Sequence, residues 1–128
     1  EHHQLVLESS RKSDETTVQQ ISFRFGSLDG LRKMKDRLNA LPKNLFDERM
    51  TPYGVNHGIA WSLYCHDPEG NRIEMFVDSP FYVRQPLVST LDLSMSDDDI
   101  LQQTRDKFGD DLSFKPWSDW SKELSERL

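Results

Sequence analysis

The sequence predicts an α+β fold in which a strand, a helix and three further strands follow one another across residues 17–78. Three observations predict it. Residues 59–66 and 72–77 alternate in polarity on either side of a tight turn, as half-buried strands do. Leu28, Leu31, Met34 and Leu38 recur at helical spacing. Between the helix and its preceding strand stand Gly26 and Ser27, a strand end followed by an N-cap.

In chain order, residues 3–8 alternate weakly and read as a strand. Residues 9–16 (SSRKSDET) are polar and read as a linker. The next strand ends at Gly26, with Ile21, Phe23 and Phe25 on one face and Gln20, Ser22 and Arg24 on the other. Ser27 caps the helix, Asp29 in its first turn suits the dipole, and Pro42 stops it. Residues 45–55 are a loop leading into a strand. In residues 59–66, Ala60, Ser62, Tyr64 and His66 share one face, and Trp61, Leu63 and Cys65 the other. Asp67-Pro68-Glu69-Gly70-Asn71 supplies turn chemistry, because Pro presets φ and Gly permits positive φ. In the return strand Ile73, Met75 and Val77 oppose Arg72, Glu74 and Phe76. Residues 79–128 read as an extended arm, with Pro80 and Pro86, and a helical tail. Ser96 caps a helix whose first turn is acidic (Asp97, Asp98, Asp99) and which Gly109 ends. Phe114, Pro116, Trp117 and Trp120 open a final short helix. The tail's apolar residues, among them Ile100, Leu101 and Phe108, are expected to pack on the sheet or on a neighbouring chain.

At 128 residues the chain suits one domain. Hydrophobic residues make up 35% and the mean hydropathy is -0.72, so the core must be modest. The net charge of -6 without a basic patch argues against nucleic acid. Cys65 is the only cysteine, which rules out an intrachain disulfide and makes a reducing, cytoplasmic compartment the default. No apolar run approaches the roughly 20 residues of a membrane span. The chain opens at Glu1 without Met, as a fragment, a processed product or a trimmed chain would.

Glu74 stands on a largely apolar strand, away from the Ile/Met/Val face. A carboxylate there needs a cation, a metal or a proton. His57, beside Gly58, is of the residue type that moves protons near neutral pH, and the Tyr64 hydroxyl can bind a substrate oxygen. Ser62 has no His and carboxylate at triad spacing, and Asp97–Asp99 lack the glycine and Glu of a calcium loop.

These residues carry a resemblance. The run HGIAWSLYCHDPEGNRIEMF resembles the last two strands of vicinal oxygen chelate proteins, the superfamily of extradiol ring-cleavage dioxygenases, glyoxalase I and fosfomycin-resistance proteins. It is most similar to the extradiol-dioxygenase-like branch, where NHG…SxYxxDPxGNxIE is typical. EHHQLVLE resembles the strand that closes the branch's first βαβββ module, so residues 1–8 are the end of a truncated module and 17–78 a complete one. Residues 79–128 resemble the C-terminal extension. The resemblance implies a vicinal oxygen chelate fold acting on a small aromatic diol or related oxygenated substrate. It also implies a site completed by an N-terminal fragment of the same precursor or a second copy of the chain. A two-His-one-carboxylate Fe(II) site is typical of the branch. Here Glu74 matches the carboxylate, whereas Gln20 stands where a His ligand is usual. Gln20 and Glu74 are therefore the candidate ligands of a divalent metal, Fe(II) or another, and His57 and Tyr64 the candidate catalytic residues. His2 and His3, as adjacent strand residues, point to opposite faces and are read as structural. The alternative is a metal-free member of the fold that binds a small hydrophobic ligand or runs non-redox chemistry through His57 and Tyr64.

Overall fold

The computed structural model describes residues 20–42 and 51–127. The strand expected at residues 3–8, the linker after it, His2, His3 and most of the 45–55 loop lie outside the described residues.

Strand β1 (Ile21–Arg24) leads through the Ser27 cap into helix α1 (Leu28–Asn39), whose first turn is closed by Gly30 N–H donating to Ser27 Oγ at 3.2 Å. Strands β2 (Tyr53–Asn56), β3 (Ala60–His66) and β4 (Arg72–Asp78) follow as an antiparallel meander. β1 then pairs parallel with β4, Ser22 opposite Glu74. The order β1-β4-β3-β2 is completed by β6 (Ser89–Thr90), which pairs with β2. The result is an α+β fold built on a mixed five-stranded sheet. The residues expected to form an extended arm do run extended, and parts of them join sheets. The arm supplies β5 (Phe81–Tyr82) to a separate two-stranded sheet and β6 to the main one, where Gly54 presents a bare backbone that the Leu91 carbonyl approaches too closely for any side chain.

The turn after β3 follows its chemistry. Gly70 takes a φ of +83°, Asp67 and Asn71 close the backbone at 2.9 Å, and Asp67 Oδ1 accepts from Asn71 N–H at 2.8 Å. Helix α2 (Asp97–Phe108) begins at Ser96, which accepts from Asp99 N–H, and is followed by Gly109. Helix α3 (Trp117–Ser125) follows the short β7 (Lys115–Pro116), which pairs with β5. There Tyr82 stacks on Trp120 at 4.6 Å, and Phe81 meets Phe114 at 4.9 Å with the rings tilted.

One face of the sheet is the core. Trp61, Leu63, Cys65 and Met75 pack with Leu28 and Leu31 of α1, Leu91 and Leu93 of the arm, and Ile100 of α2. Arg32 stitches α1 to the chain entering α2, donating to the carbonyls of Leu93 and Met95 at 2.8 Å each and pairing with Asp97 at 2.7 Å. The parity read for β1 has a different consequence from that of β3. Ile21 and Phe23 are 41% and 52% exposed, since α1 lies over β3 and β4 and β1 is the edge strand among the described residues; Phe25, beyond the strand, reaches the core. No described helix is long and apolar enough to cross a membrane.

Candidate functional site

Alternation sends Ser62 and Tyr64 of β3 to the face opposite the core. The β3–β4 register sets Tyr64 directly across from Glu74, and the β1–β4 register sets Ser22 across from it on the other side. Glu74 has no exposed surface, so its oxygens need partners from the protein. They have them. Oε1 accepts from the Tyr64 hydroxyl at 2.6 Å and from Ser62 Oγ at 2.8 Å. Oε2 accepts from Ser22 Oγ at 2.6 Å and from Gln20 Nε2 at 2.9 Å. A carboxylate offers about four acceptor positions, and these donors among the described residues occupy both oxygens.

The Gln20 amide is oriented by both its ends. Its NH₂ donates to Glu74 and to Ser22, and its Oε1 accepts from the Arg72 guanidinium at 3.1 Å. Arg72 in turn lies over the Tyr64 ring at 5.6 Å. On the other flank Tyr53, opposite Tyr64 in register and 44% exposed, stacks on it at 5.6 Å with 20° between the rings.

His57 sits on the β2–β3 turn. Gly58 makes that turn possible: its φ is +77°, and a Cβ there would meet Val83 Cγ1 at 2.5 Å. The turn is held from beneath, with Gly58 N–H donating to Asn56 Oδ1 at 2.9 Å, Asn56 Nδ2 to Thr104 Oγ1 at 2.8 Å, and the Ser79 hydroxyl to the Gly58 carbonyl. So fixed, the His57 ring places Nε2 3.1 Å from the Tyr64 hydroxyl and 4.0 Å from Glu74 Oε1, and Nδ1 2.9 Å from the Leu87 carbonyl. Its side chain keeps 14% of its surface exposed, so solvent reaches the cluster at this end.

The partners dictate where protons stand. The Leu87 carbonyl only accepts, so Nδ1 carries a hydrogen. An ionised Glu74 only accepts, so the Tyr64 hydroxyl hydrogen points at Oε1 and the phenol oxygen is left to accept from Nε2. Every bond is then made with His57 as imidazolium. Moving one proton along Tyr64 leaves neutral His57 and a protonated Glu74 with every bond again made, in the reverse sense. The two arrangements hold the same number of protons. Tyr64 itself stays a phenol: burial first, then the hydrogen bond to Glu74 and its charge, push its pKa far above the usual range for tyrosine.

The structure brings all four sequence-predicted residues, Gln20, His57, Tyr64 and Glu74, into one connected cluster. Ser22, Ser62 and Arg72 also belong to it. Strand parity alone places them on this face, and in the sequence Ser62 reads only as a nucleophile without triad partners. The Leu87 carbonyl left no sequence signal. Cys65 lies on the core face, where burial first and Asp67 second raise its thiol pKa, so it is packing rather than a nucleophile. Among the described residues no group of three or more His, Cys, Asp or Glu side chains is placed to hold a metal ion. Compared with family models, curated proteins and solved structures, the chain matches none.

Proposed function

We propose that this cluster is a proton-transfer site for a small oxygenated ligand, on a framework of the vicinal oxygen chelate type, and that it works without a metal ion. The observation that carries this reading is the unbroken chain from buried Glu74 through Tyr64 to partly exposed His57. A ligand oxygen seated at His57 Nε2 and the Tyr64 hydroxyl gains or loses a proton there, and Glu74 takes up the opposite change in charge two bonds away. The ligand's body packs on Tyr53, the exposed ring of the stacked pair. The chemistry is non-redox, such as enolisation, in which the cluster gives the carbonyl oxygen a proton and solvent at the exposed His57 end takes the proton from carbon. The donor set supports a metal-free site. Both Glu74 oxygens already take two donors each, and the Gln20 oxygen that would ligate faces the Arg72 cation.

The test is hydrogen exchange at the enolisable carbon of an aryl ketone such as acetophenone in D₂O. The protein is expected to accelerate exchange over buffer, and His57→Gln and Tyr64→Phe each to lower that acceleration by about 10–10⁴-fold. Variants that exchange at the parent rate would sink the reading.

The convergence of Gln20 and Glu74 at 2.9 Å favours a second reading, ring cleavage of an aromatic diol with a divalent metal held by that pair. It needs Gln20 to turn its oxygen away from Arg72 and a further ligand from an N-terminal fragment or a second copy. Stoichiometric metal in the purified protein that Glu74→Ala removes would carry it. Edge strand β1, with Ile21 and Phe23 exposed, is the place for such a partner, and the buried lone thiol agrees with a cytoplasmic setting.

A further inference from the structure

We propose that Gln85 is a positioning residue that fixes the tautomer of His57; this rests on the proton-transfer reading of the same site. The Gln85 side chain clamps two pieces of backbone together. Its Nε2 donates to the His57 carbonyl at 2.8 Å, and its Oε1 accepts from Leu87 N–H at 3.1 Å. Residue 87 is thereby held against the His57 turn, with its carbonyl 2.9 Å from Nδ1. The same stretch is anchored from the other side, where Arg84 N–H donates to Ser113 Oγ at 2.8 Å and Asp111 in turn holds the Ser113 hydroxyl at 2.6 Å.

The clamp opposes what the inner cluster prefers. In neutral His57 with Glu74 ionised, the Tyr64 hydroxyl has one hydrogen and two acceptors competing for it, Glu74 Oε1 and a bare Nε2. An Nε2–H tautomer ends that competition, because Nε2 then donates to Tyr64 and Tyr64 donates to Glu74. The Leu87 carbonyl, 2.9 Å away, demands a hydrogen on Nδ1 and so keeps the Nε2 lone pair turned inward. The arm thus makes His57 a base toward Tyr64 and the ligand. Without the clamp the ring becomes a donor at Nε2 and the direction of transfer is lost.

Long-range ¹H–¹⁵N correlation spectra of the labelled 128-residue chain, recorded where His57 is neutral and assigned with His57→Gln, read this directly. The parent is expected to show the Nδ1–H tautomer. Gln85→Ala is expected to shift the ratio toward Nε2–H by about two- to tenfold, the equilibrium equivalent of one neutral hydrogen bond. The Trp61 indole N–H, which donates to Thr104 Oγ1 at 2.9 Å within the core, reports whether the variant is folded. Should it not be, Gln85→Glu is read instead; it keeps the acceptor for Leu87 N–H, loses the donor to His57, and is expected to shift the ratio the same way by less. A parent in the Nε2–H form, or a folded variant that keeps the parent's ratio, overturns the proposal. Ketone exchange that ignores His57→Gln and Tyr64→Phe overturns the proton-transfer reading instead and leaves the tautomer result standing.

Discussion

The two faces of β3 and β4 are made by the same strands and obey different rules. On one, Trp61, Leu63, Cys65 and Met75 meet two helices and the arm, and what matters is filled volume. On the other, Ser62, Tyr64 and Glu74 are as deeply buried, yet what matters is whether each hydrogen has an acceptor. Alternation supplies both at once, so a single strand can carry the core and a charged site without either intruding on the other.

Substitutions that respect one rule and break the other separate the faces. The largest effect is expected from Leu63→Ala, which empties a fully buried site and should destabilise by about 2–5 kcal/mol in denaturant unfolding, while leaving the His57 spectrum unchanged. Next comes Glu74→Gln, nearly the same shape. Its NH₂ meets donors where an oxygen stood, and each donor left unpaired costs about 1–3 kcal/mol. A Glu74→Gln protein as stable as its parent would show that the polar face, too, is held by volume. Leu63→Met, an equally modest change of shape on the core face, is expected to cost under about 1.5 kcal/mol. A larger loss there than in Glu74→Gln would reverse the comparison.

The smallest effect lies at the turn joining the strands. Asp67 is half-buried, and its carboxyl is held below the usual range chiefly by the Asn71 side chain, aided by backbone N–H groups. Its contribution is therefore present above its unfolded value of about 4 and lost as pH falls through the lower folded value. Asn71→Ala should lower the thermal midpoint slightly at pH 6, with the gap from the parent narrowing toward pH 3. A gap independent of pH would mean that Asn71 acts through the backbone alone.

The reach of the sequence can be judged residue by residue. Ser27 and Ser96 cap the helices they were read to cap, and the 67–71 turn closes as its Pro and Gly imply, because capping and turn chemistry act within a few residues. Parity placed Tyr64 and Glu74 on one face and Cys65 on the other, since side chains alternate wherever a strand forms. Two features escaped. The arm's pairing with β2 depends on Gly54 meeting the Leu91 carbonyl, a contact between segments far apart in the chain. The exposure of Ile21 and Phe23 depends on where α1 lies across the sheet, which no local pattern encodes.

The sequence by itself determined the strand–helix–three-strand order, the caps, the turn and the residue types that chemistry would use, all of them properties of neighbours along the chain. Only the tertiary structure decided that Ser22, Gln20, Ser62 and Tyr64 converge on one carboxylate, and that the carbonyl of Leu87 sets the hydrogen on His57. Those depend on register between strands and on the path of a distant arm, where a shift of one residue would exchange every partner.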